Sequence, residues 1–86
     1  FDLTNTAPVN NTGDGIYLFN AVRRGGSYST RFTGIIGVDN GGIAVVDTIE
    51  NNGFTISVAG MVIKAVDSSG SAINISATLQ PLAIGD

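Results

Sequence analysis

The stretch Gly15-Ile-Tyr-Leu-Phe-Asn-Ala-Val-Arg-Arg-Gly-Gly-Ser-Tyr-Ser-Thr-Arg-Phe-Thr-Gly-Ile-Ile36 decides the fold. Two runs rich in β-branched and aromatic residues flank Gly25-Gly26, a dipeptide able to take the positive φ angles of a tight hairpin turn. A two-residue turn at those glycines predicts that Arg23 faces Tyr28, Phe19 faces Phe32 and Asn20 faces Arg31. Side chains alternate along a strand, so Tyr17, Phe19, Ala21, Tyr28, Phe32 and Ile36 are expected on one face. Aromatic pairs across such a hairpin add about 0.5–1 kcal/mol each beyond the area they bury. The rest of the chain is expected to cover that face.

Working outward, Phe1–Asp14 is polar, rich in Asn and Thr, and interrupted by Pro8. It reads as an N-terminal arm ahead of a single β domain over residues 15–86. Its apolar side chains Phe1, Leu3 and Val9 could pack on the same domain or cross to a neighbouring subunit. Beyond the central hairpin, Asp39-Asn40-Gly41-Gly42 carries the Asn-Gly signal of a type I′ turn. A strand over Ile43–Thr48 should stop at the turn cluster Glu50–Gly53, and Phe54, Ile56 and Val58 then alternate onto one face. Ala59-Gly60 reads as a reversal into a strand over Met61–Val66, with Asp67 capping the next turn as an Asx-turn. The last strand, Ala72–Leu79, places Ile73, Ile75, Ala77 and Leu79 on one face and ends at Pro81.

Apolar residues recur at period two throughout, and no window supports an amphipathic helix. The expected fold is therefore all-β: a small antiparallel β-sandwich or barrel of six to seven strands joined by hairpins. Three segments break the alternation. Gly34–Val38, Ile43–Val46 and Met61–Ile63 are apolar on both faces, and a strand of that kind needs cover on both sides.

Composition narrows the function. An 86-residue chain without cysteine has neither disulfides nor a thiolate metal site to reinforce a small core. Self-association is the remaining common device. Only 13% of the residues are charged, against about 25% in an ordinary domain, as suits surfaces buried against other subunits. A net charge of −3 with four basic residues provides no basic stripe for nucleic acid. No apolar run approaches the ~18 residues of a membrane-spanning helix, so no membrane insertion is expected.

Without His or Cys, the common general bases and thiol nucleophiles are missing, and the carboxylates fall mainly in turns. Asp47 is the exception. Counting around Asn40-Gly41 places it opposite Gly34, within reach of Arg31 or Lys64. Asp39-Asn40-Gly41 and Asp67-Ser68-Ser69-Gly70 lack the ligand run of a calcium loop, and turn chemistry explains both. The reading is a non-enzymatic protein with no cofactor and no metal. Asn10-Asn11-Thr12 and Asn74-Ile75-Ser76 match the glycosylation sequon, a short pattern, and the second lies in a strand. Three of the four cations, Arg23, Arg24 and Arg31, share the central hairpin with Tyr28. Arg at a hairpin end protects an exposed edge; these four residues are also the candidate contacts for a partner's carboxylates or a surface glycan.

Ile16–Gly25, the following Arg31–Ile36, the Asn-Gly-Gly turn and the Val45-Val46-Asp47 strand resemble small all-β domains near the C-termini of bacteriophage tail fibres and tailspikes, and other virion surface proteins. The resemblance spans Gly15 to about Leu79 as a pattern of strands and turns. It implies a non-enzymatic virion structural role, in capsid decoration or in a tail fibre or spike. It also implies a homo-oligomer, typically a trimer, docked on other virion proteins at the virion surface or outside the cell. It assigns no binding residues. The alternatives are a subunit of an extracellular filament joined by exchange of the N-terminal strand, and a carbohydrate-binding module stacking sugars on Tyr17 or Tyr28.

Overall fold

The structure, a computed structural model, describes residues 14–25, 28–67 and 75–84. Among these, six strands follow in chain order: β1 (Gly15–Arg23), β2 (Arg31–Asp39), β3 (Gly42–Asn52), β4 (Phe54–Ala59), β5 (Val62–Asp67) and β6 (Ile75–Ile84). They form an antiparallel four-stranded sheet in the order β3-β2-β1-β6 and a two-stranded sheet, β4-β5. The fold is all-β and sandwich-like. The sheets stay separate, so the barrel alternative does not apply.

Pattern dictates the core. Tyr17, Phe19 and Ala21 of β1 and Phe32, Ile36 and Val38 of β2 are buried, while their neighbours in sequence are more exposed. Phe54 and Ile63 of the β4-β5 hairpin complete this cluster, so the hairpin covers the inner face of the larger sheet. Ile75, Ala77 and Leu79 of β6 pack against its margin. Phe19 and Phe32 meet with ring centroids 6.1 Å apart at 54°, the tilted arrangement aromatic pairs favour.

The central hairpin differs from its expected register by two residues. Phe19 pairs with Gly34, Asn20 with Thr33, Ala21 with Phe32 and Val22 with Arg31, while Arg23 N–H donates to the Thr30 carbonyl. The connection is longer than Gly25-Gly26. A shift of two preserves parity, so the expected face survives except at Tyr28. That residue lies outside the strand, 56% exposed, with φ of 58°. The β2–β3 turn is as expected: Asn40 and Gly41 both have positive φ, 54° and 74°, the requirement of type I′. At the β4–β5 turn Gly60 supplies the positive φ, 59°.

Other boundaries move for identifiable reasons. β3 runs on through Glu50–Asn52 because β2 extends far enough to pair with it, with irregularities at Thr33/Gly34 and Gly37/Val38. These slips put Asp47 opposite Ile35 and Thr48 opposite Gly34. Asn51 then turns the chain into the other layer. Its Nδ2 donates to the Phe54 carbonyl at 2.9 Å and its Oδ1 accepts from Phe54 N–H at 3.0 Å. Asp67 is not an exposed turn residue; it ends β5 and is buried. Pro81 does not end β6, because an edge strand tolerates a residue without an N–H. The arm residues Phe1, Leu3 and Val9, and Ile73 of the last strand, lie outside the described residues.

Candidate functional site

The hairpin arginines occupy different surroundings. Arg23 continues the inner-face parity of β1 and places Nη1 3.2 Å from Asp67 Oδ2. The Asp67 side chain is 1% exposed and the Arg23 side chain 41%, so this ion pair ties the two layers together at the edge of the core. Arg31 sits on the opposite, outer face and grips Glu50 through two donors, Nε to Oε1 at 2.8 Å and Nη2 to Oε2 at 3.0 Å. The hydrogen bond to Glu50 raises the Arg31 pKa, and the hydrogen bond from Arg31 holds Glu50 below its ordinary value. Thus Arg31 engages a carboxylate of its own chain with two donors and Arg23 another through one nitrogen, while Arg24 and Tyr28 are exposed in the loop between them. Tyr17 is fully buried, which closes it to any external ligand.

Side-chain alternation also builds an outer face on the four-stranded sheet, away from the β4-β5 hairpin. Strand pairing arranges it in transverse rows. At one end stand Val45, Gly37, Ile16 and Ala83; next come Asp47, Ile35, Leu18 and Gln80. The following rows are Glu50, Thr33, Asn20 and Thr78, then Asn52, Arg31, Val22 and Ser76. The polar rows satisfy one another: Thr33 Oγ1 donates to Asn20 Oδ1 at 2.9 Å, and Arg31 holds Glu50. The apolar rows do not close over themselves. Ile16 is 46% and Val45 48% exposed, and Ile35 and Leu18 are half-buried. No described element packs over this face.

That surface is what the doubly apolar segments Gly34–Val38 and Ile43–Val46 announced. Its geometry was not readable in advance, since the two irregularities in the β2–β3 ladder determine which residues line up. Asp67 was missed as a buried ion-pair partner because Asp beside Ser-Ser-Gly carries the signature of a turn.

Among the described residues, no group of three or more His, Cys, Asp or Glu side chains converges to hold a metal ion. Nor is any described helix long and apolar enough to cross a membrane. Compared with known proteins, the chain matches no family model and finds no significant match among curated proteins or solved structures.

Proposed function

We propose that this is a non-enzymatic structural protein of a phage virion, a capsid decoration or a tail fibre or spike domain, that works by self-association and docking. The observation that carries the self-association is the open outer face, with Ile16 and Val45 about half exposed beside Leu18 and Ile35. A chain with 13% charged residues and net charge −3 offers little electrostatic opposition to packing copies together. The virion setting rests on the strand-and-turn resemblance across Gly15–Leu79; that resemblance taken alone would imply a trimer, whereas the outer face is read as a twofold contact. Light scattering on the whole chain tests the reading. A mass above the 8.8 kDa of one chain is expected; a monomer at micromolar concentration would remove its basis.

A second reading is favoured by Tyr28, 56% exposed beside the exposed Arg24. An aromatic ring and a guanidinium together suit stacking and hydrogen bonding to a glycan. Glycan-array binding lost in Tyr28→Ala would establish it, and a blank array would dispose of it.

A further inference from the structure

We infer that two copies of this chain pair through the outer faces of their four-stranded sheets. The twofold axis runs along the strands between β1 and β2, so that Ile16 of each copy seats over Gly37 of the other. The inference rests on the self-association reading and deepens it by naming the surface and the symmetry.

The order of side chains across the face sets what a second copy would meet. A twofold axis along the strand direction lays each transverse row over the same row of the second copy, with the order across the sheet reversed. Apolar rows then meet apolar rows. Ile16 on β1 comes over Gly37 on β2, where the missing side chain leaves bare backbone flanked by Val45 and Ile16. Leu18 comes over Ile35, and Val45 over Ala83. Asp47 meets Gln80 instead of a second Asp47, which removes a like-charge contact from within the rows, while Asp39 and Asp14 come together only at the rim beyond them. In the polar rows Asn20 comes over Thr33, groups already hydrogen-bonded within each copy. The face thus complements itself, as an isologous contact requires.

Charge narrows the choice of occupant. Arg31 and Glu50 neutralise each other on this face, and its remaining described charges are acidic, Asp47 within the rows and Asp39 at the exposed end of β2. A strongly acidic partner finds no counterpart here. Area is sufficient. Four strands about 4.8 Å apart and nine residues long at about 3.3 Å each span roughly 600 Å². Two such faces together bury about 1,200 Å², above the roughly 1,000 Å² expected of a specific interface. Stacked sheets normally align within about 30° of each other, which keeps the rows in register near the axis.

Sedimentation velocity on the whole chain, with variants, tests the inference. Wild type should run as a pair. Gly37→Val should fold, because a Cβ at this position meets Val45 only at ordinary contact distance, 3.5 Å, and valine suits a strand. It should nevertheless weaken pairing about tenfold or more by filling the seat. The double variant Ile16→Ala with Gly37→Val should recover part of that loss. Lys64→Glu, on the hairpin layer, should pair as wild type does. Far-ultraviolet circular dichroism checks that each variant is folded, and Ile16→Glu is the substitute should Gly37→Val unfold. A stable oligomer indifferent to both Gly37→Val and Ile16→Glu would overturn the pairing surface and leave self-association standing. A trimer would overturn the twofold arrangement alone. A wild-type monomer would overturn both, as would a monomer that pairs only after residues 1–13 are deleted, since the arm would then be the occupant of the face.

Discussion

Two glycines three positions apart in β2 should respond to the same substitution with opposite signs. Gly34 points inward. A Cβ built there lies 2.8 Å from Cε1 and Cζ of Phe32 and 3.1 Å from the Asp47 carbonyl oxygen. The ring cannot swing clear, because Phe32 is 1% exposed and packed against Phe19. Nor can the carbonyl, which belongs to the neighbouring strand. Gly37 points outward, its Cβ 3.5 Å from Val45 Cβ, an ordinary contact. Neither glycine has the left-handed φ that would penalise any side chain.

Replacing glycine by alanine at a compatible site stabilises by about 0.4–1 kcal/mol through the unfolded chain. Overpacking a close-packed core costs about 1–3 kcal/mol. Gly34→Ala should therefore lose about 1–2 kcal/mol net, and Gly37→Ala should gain about 0.4–1 kcal/mol. For a domain this small each kcal/mol moves the melting temperature by about 4–8 °C. Urea and thermal unfolding, at one protein concentration and with the association state recorded, separate the two. Should Gly34→Ala prove as well tolerated as Gly37→Ala, the assignment of inner and outer faces, and the closure of Phe32 over Gly34, would be wrong.

Other consequences concern the polar contacts. Arg23→Met leaves the Asp67 carboxylate in the core edge without its guanidinium; because Arg23 is 41% exposed, the loss should be about 1–3 kcal/mol, below that of a fully buried pair. An unchanged urea midpoint would remove the ion pair from the account. Asn51→Ala deletes both hydrogen bonds to Phe54 at the corner between layers and should cost about 1–2 kcal/mol, read as a lower midpoint with an unchanged urea slope. Glu50 is held below its ordinary value by Arg31, so its contribution is present above about pH 4.3, the unfolded value. That contribution fades as pH falls through the lower folded value. Glu50→Gln should flatten the acid side of the stability curve, and identical acid limbs would contradict the pairing.

Much of this fold is written in residue parity. Tyr17, Phe19, Ala21, Phe32 and Ile36 share a buried face in the structure, as period-two patterning requires, and Asn40-Gly41 forms its turn because few other residue pairs accept two positive φ angles. Register is less legible. Gly25-Gly26 can form a tight turn, yet nothing local prevents the connection from reaching Thr30, and pairing of β1 with Arg31–Asp39 is set by how Phe19 and Phe32 pack at a distance. Layer assignment is less legible again. β3 and β4 are separated by one residue and belong to different sheets, a consequence of the Asn51 side chain capping Phe54 that no hairpin counting would reveal. β6 returns to pair with β1, distant in sequence. The open face could be inferred from strands apolar on both sides, but Arg23 and Arg31 could not be separated into an inter-layer tie and an outer-face pair without that topology.

The outer face is either covered by another copy of the chain or left open to solvent. Light scattering through a dilution series into the low micromolar range decides it. The prediction is twice the 8.8 kDa chain mass at the concentrated end, falling toward one chain on dilution and falling sooner for Gly37→Val. A single-chain mass throughout would contradict the claim that Ile16, Leu18, Ile35 and Val45 form a contact between copies.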